Sequence, residues 1–120
     1  MMHPWAVRLR HDLVKRAVWA ARDLRSLAGT PSLADVAALR NGLYDLRDEE
    51  GAVVDARSLW ARMRLNAPRN TPEVEQFSLA IEEAHAAVDA LPTGFATAIS
   101  ALLRIEERFE ALARSLDTHT

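Results

Sequence analysis

Apolar residues recur along most of the chain at alternating spacings of three and four, the interval that puts side chains on one face of an α-helix. The first such stripe is Leu9, Leu13, Ala17, Ala20, Leu24 and Leu27, widened by Val14 and Ala21. It predicts a helix over about 4–28, with Pro4 suited to the first turn and Gly29 to the stop. Thr30-Pro31 predicts the cap and start of a short second helix carrying Leu33, Val36, Ala37 and Leu39, and Asn41-Gly42 predicts its end.

The pattern then breaks. Leu43-Tyr44-Asp45-Leu46 alternates apolar and polar, Asp48-Glu49-Glu50-Gly51 reads as a turn, and Ala52-Val53-Val54 follows. This segment is either a tiny hairpin or an extended lap over the bundle. Asp55 caps a third helix over 56–65 that buries Leu59, Trp60 and Met63, and Asn66-Ala67-Pro68-Arg69-Asn70 reads as a linker. Thr71-Pro72 repeats the cap-and-proline start.

Two matched seams follow. Val74, Phe77, Ile81, Ala84, Val88 and Leu91 form one; Phe95, Ala98, Leu102, Ile105, Phe109, Leu112 and Leu116 form the other. Joined by the short Pro92-Thr93-Gly94 turn, they predict an antiparallel helical hairpin whose groove receives the first helix. The predicted fold class is all-α: an up-down bundle of three long helices, with two short helices and a loop inserted between the first and second long ones. Residues 1–120 make one domain, 43–70 its irregular insert and linker, and 1–3 and 117–120 its frayed ends.

Composition sharpens this picture. The 120 residues are 49% hydrophobic, and a third or more of those are alanine, which favours helix and close helix approach. There is no cysteine, which removes disulfides, thiolate metal sites and cysteine nucleophiles. The N-terminal residues lack the pattern of a signal peptide, and no apolar run reaches the roughly 18–20 residues that span a bilayer. A cytoplasmic protein without a membrane partner is the expectation.

The net charge of −2 conceals an asymmetry, because residues 1–70 carry 12 Lys/Arg against 8 Asp/Glu and residues 71–120 carry 3 against 9. On the first helix Arg8, His11, Lys15, Arg22 and Arg25 recur as a basic ridge. The sequence expectation is that this ridge pairs with an acidic face of Glu75, Glu82, Asp89, Glu106, Glu107 and Glu110. Contact with nucleic acid is the less favoured use of the ridge, since Asp12 and Asp23 flank it and the pI is about 6.1.

Catalytic and metal signatures are sparse. Glu82-Glu83-Ala84-His85 contains the Glu-x-x-His spacing of di-metal carboxylate bundles, but once rather than twice, so Glu82 and His85 are the weak metal candidates. His11 with Lys15 has the flavour of a phosphotransfer histidine, yet the lysine is one residue too far and Arg16 fills a position that should be small. Arg114 and His119 match the loose spacing of some helical ribonucleases. No serine sits on a strand–turn–helix elbow, Asp48-Glu49-Glu50-Gly51 does not fit a calcium loop, and no phosphate loop or cofactor motif is present.

Trp19 and Val18 lie off the apolar stripe. Either the 43–65 segment folds back over them or they meet another subunit. The candidate docking surface is therefore Trp19, Val18, Arg8 and Arg22. The balance of these readings is a non-enzymatic interaction module that binds a protein partner or itself as a homodimer. A metal-binding bundle and weak nucleic-acid binding remain as alternatives.

Overall fold

The computed structural model describes residues 4–27, 31–47, 50–65 and 72–118, and it is mostly helical. The first rod, α1, spans 4–26 as α-helix at Pro4–Leu9, a π-helical turn at Arg10–Val14, and α-helix again at Lys15–Ser26. Four more helices follow: α2 at Leu33–Tyr44, α3 at Ala56–Arg64, α4 at Pro72–Asp89 and α5 at Phe95–Thr118. Between α2 and α3 a minimal hairpin forms. In it β1 (Leu46–Arg47) runs antiparallel to β2 (Val53–Val54), with Leu46 opposite Val54. Gly51 supplies the positive φ of 85° in the turn.

Local chemistry sets the helix ends. The sequence places the α2 cap at Thr30, which lies outside the described residues, but the observed cap is Ser32. Its hydroxyl accepts from the Asp35 N–H at 3.2 Å, while the Asp35 carboxylate accepts from the Ser32 N–H at 2.9 Å. This reciprocal box satisfies two orphan donors, which one capping side chain alone would not do. Asp55 caps α3 as expected, accepting from the Ser58 N–H at 2.7 Å. The expected stop at Asn41-Gly42 does not occur. The helix continues to Tyr44 and carries Leu43 into the core, where it is 2% exposed.

The seams predict burial well. Val74, Phe77, Ile81, Ala84, Val88 and Leu91 are buried, as are Ala98, Leu102, Ile105, Phe109 and Leu112 opposite them; Phe95 is partly buried, and the Leu116 side chain lies outside what the structure describes. On α1, Leu9, Leu13, Ala17, Ala20 and Leu24 are buried and Leu27 partly so. Helix α5 packs along α4 on one side and along α1 on the other, whereas α1 and α4 approach each other little. α2 leans on α1, and α3 rests on α4 and the start of α1.

A chain of rings ties α3 to this core. Trp60 meets Phe77 edge to face with centroids 4.8 Å apart, and Phe77 meets Phe109 at 5.9 Å. The Trp60 Nε1–H donates to Ser78 Oγ at 2.6 Å, and Ser78 Oγ donates to the Val74 carbonyl at 3.0 Å. The indole is thus buried with its polar atom satisfied.

Candidate interaction surface

The π-helical turn shapes the outer face of α1. Within it Leu13 and Val14 are buried and His11 is exposed. Turns of this kind often mark functional positions. Beyond the turn, Trp19 is 50% exposed and Val18 half-buried, and before it Val7 is 53% exposed. Two hollows flank Trp19. One, of about 390 Å³, lies between α1 and α5 and is walled by Val7, Val14, Val18 and Trp19, with Arg10, His11, Lys15 and Glu106 at its rim. The other, of about 440 Å³, lies between α1 and α2, where Trp19 and Leu27 face Ala38, Leu39 and Gly42.

The described residues of the 43–65 segment do not cover Trp19, which is 50% exposed. The segment's hairpin packs against the π-helical turn and α3 against α4 and the first turns of α1, so only Leu43 reaches the floor of the second hollow. The indole is left standing between two depressions, the second of which is also lined by Arg16, Asp23, Ser26 and Asp35. The Lys15 ammonium lies over the ring, 4.9 Å from its centroid.

Among the described residues Lys15, Arg22 and Arg25 do not pair with the acidic face, and Glu106 and Glu107 on that face are in no ion pair. Glu75 pairs with Arg64 at 3.0 Å, Glu82 with Arg57 at 3.6 Å, and Asp89 with Arg40 at 3.6 Å. Glu83 pairs with Arg104 at 2.8 Å, and Glu110 with Arg10. The reason is geometric, because α5 stands between α1 and α4 while α3 lies directly on α4. On the ridge, Arg8 holds Asp12 at 3.1 Å, and the other Asp12 oxygen lies 3.1 Å from His11 Nδ1. Lys15, Arg22 and Arg25 have no carboxylate partner among the described residues. The ridge therefore faces outward, next to Trp19.

The remaining candidates fall at separate places. Glu82 turns to Arg57. His85, on the same helix, has Nδ1 at 3.0 Å from Asp89 and is mostly covered. Among the described residues no three His, Asp or Glu converge in a metal-binding group. Nor is any helix there long and apolar enough to cross a membrane. His119, Asp48, Glu49 and the 66–70 linker lie outside the described residues. Among the described residues the two shifted carboxyls, Asp35 and Asp55, both take part in helix N-terminal caps. The Ser32 backbone N–H, then its hydroxyl, lower the pKa of Asp35, and the Ser58 N–H lowers that of Asp55.

One residue that sequence reasoning missed is Arg40. Its Nη2 donates to the Asp89 carbonyl at 2.8 Å and lies 3.4 Å from the Val88 carbonyl, closing the C-terminus of α4. The available signal was the last turn of α4, which has no basic residue of its own. Its orphan carbonyls and negative dipole end call for a cation from elsewhere. Comparison with protein-family models, with curated proteins and with solved structures finds no match for this chain.

Proposed function

We propose that this chain is a non-enzymatic protein-interaction module that docks through the outer face of α1. The observation that carries the reading is Trp19, half open to water between two hollows of mixed apolar and charged lining and bordered by Val7, Val18 and Lys15. Covering such a ring withdraws about 150–250 Å² from water. Tryptophan and arginine are also the residues that dominate binding hot spots.

We read the helices behind this face as an up-down bundle in which neighbours alternate in direction. Arg10 lies at Phe109 and Glu110, while Lys15 and Val18 share a hollow with Glu106, which supports α1 running antiparallel to α5. The short turn between α4 and α5 supports the same for that pair. A metal-binding bundle at Glu82 and His85 has less support, since each of these side chains is engaged by a different neighbour.

The test is site-specific photo-crosslinking in the native host, with benzoylphenylalanine replacing Arg22 on α1 or Leu79 on α4 as control. A discrete protein adduct from position 22 and none from position 79 is expected. An adduct at twice the 13.3 kDa of the chain identifies a second copy as the partner. Absence of any discrete adduct from positions 15, 22 and 26 refutes the reading.

A further inference from the structure

We infer that the partner docked on α1 is a second copy of this chain, related by a two-fold axis that runs along the hollow between α1 and α5 and sets α1 of each copy over α5 of the other. This rests on the reading of α1 as the docking face and names what binds there.

The hollow carries both signs of charge on opposite banks. Lys15 stands on its α1 side and Glu106 on its α5 side, and both are exposed. Among the described residues neither is in an ion pair, and the same holds for the exposed Glu107 on α5. A face that is basic along one edge and acidic along the other is complementary to itself, because a two-fold contact makes every pair twice.

The levels of the two helices select the axis. The Arg10 guanidinium lies over the Phe109 ring, 5.8 Å from its centroid. Lys15, five residues further along α1, shares the hollow with Glu106, three residues back along α5. An axis parallel to the helices exchanges the banks and keeps every residue at its level. Lys15 of one copy then meets Glu106 of the other, with Glu107 beside it. One turn further, Trp19 of one copy meets Leu103 and Ile99 of the other, which their own chain covers only in part. An axis across the helices would instead lay α1 on α1 and oppose Lys15 and Arg22 with their own kind, and like charges across an interface are strongly unfavourable. The parallel axis gives an apolar centre of Val18, Trp19, Ile99 and Leu103 edged by two Lys15–Glu106 pairs, the anatomy of a specific interface.

The test is sedimentation equilibrium of the full chain and its variants. The wild type should approach twice the 13.3 kDa of the chain as concentration rises. Lys15→Glu and Glu106→Lys each put like charges across the contact and should raise the dimer Kd about tenfold or more, as should Trp19→Ala at a hot-spot position. Mixing Lys15→Glu with Glu106→Lys should restore a dimer of one of each, since each variant supplies the charge that the other lacks. All three sites are exposed, so the variants should melt as the wild type does. A wild type that stays at 13.3 kDa up to about 1 mM overturns the second copy. So does a dimer indifferent to both charge reversals, or a mixture that associates no more tightly than its parts. The docking face outlives these results if crosslinking from positions 15, 22 and 26 gives a discrete adduct of another mass, and it falls with them if no adduct forms.

Discussion

Gly42 offers a test in which the sign of the effect decides between two backbones. A glycine after the last apolar residue of a helix usually adopts the left-handed conformation that ends it, and Asn41-Gly42 reads that way in the sequence. In the structure Gly42 lies inside α2, two residues before Tyr44, and a Cβ built on it meets nothing within 4 Å. Its carbonyl accepts from Arg16 Nη1 at 2.8 Å, a bond that a side-chain change does not touch. Gly42→Ala therefore removes backbone entropy from the unfolded chain and adds no clash.

The gain for such a change in a helix is about 0.5–1 kcal/mol. With roughly 2.1 cal/mol/K of unfolding entropy per residue, a chain of this size should gain about 2–4 °C in Tm. Thermal and urea unfolding followed by circular dichroism would measure this, with an unchanged urea m value. Gly51 and Gly94 are internal controls, since their φ angles are 85° and 75°. Gly51→Ala and Gly94→Ala should each lose about 1 kcal/mol from forcing a Cβ into the left-handed region. If Gly42→Ala loses stability as these do, the helix ends at Gly42 and the account of α2 given above is wrong.

Trp60→Phe should cost about 2–3 kcal/mol in urea unfolding, combining a lost hydrogen bond to Ser78 with an underfilled site. A neutral result would mean that the ring does not seal α3 to the core. Arg40→Met should cost about 1 kcal/mol by uncovering the α4 carbonyls. It should speed amide exchange in α2 and leave α5 unchanged; uniform acceleration would show that Arg40 is not a local clasp. Asp55→Asn should preserve stability at pH 7, because asparagine caps equally well. The folded Asp55 pKa is depressed, so its ionised cap contributes above the ordinary carboxyl value of 3.8 and is lost as pH falls through the lower folded value. The wild type should therefore lose stability across that acid window more steeply than Asp55→Asn, and parallel acid limbs would contradict this.

The long helices were legible because burial of an amphipathic stripe is decided by spacing alone. Phe77 and Phe109 could be assigned to the core before any neighbour was known. Asp55 was legible as a cap for a similar reason, since its donor lies three residues away. The α2 boundaries were not. At the start, Thr30-Pro31 and Ser32 compete as caps, and the choice went to the residue whose partner, Asp35, could answer it. At the end, burial of Leu43 outweighed the weak preference of glycine to stop the helix. The position of Trp19 off the apolar stripe was readable, but whether the insert covered it depended on where the hairpin and α3 came to rest.

The charges were the least legible feature. Totals along the sequence put a positive half against a negative half and suggest that the two neutralise each other. Arginine side chains are long, and the acid they reach depends on which helix they leave from. Arg57 and Arg64 leave from α3, which rests on α4, and Arg40 reaches across from α2; they hold Glu82, Glu75 and Asp89. Exposed pairs of this kind contribute only about 0–1 kcal/mol each, so they explain little of the stability. Their consequence is at the surface they leave behind. Among the described residues Lys15, Arg22 and Arg25 are then left without a carboxylate partner, and Glu106 and Glu107 on α5 without a cation. Arg40, Arg57 and Arg64 thus bear on α1 indirectly: they hold Asp89, Glu82 and Glu75, and Lys15, Arg22 and Arg25 are left outside the ion pairs of α4.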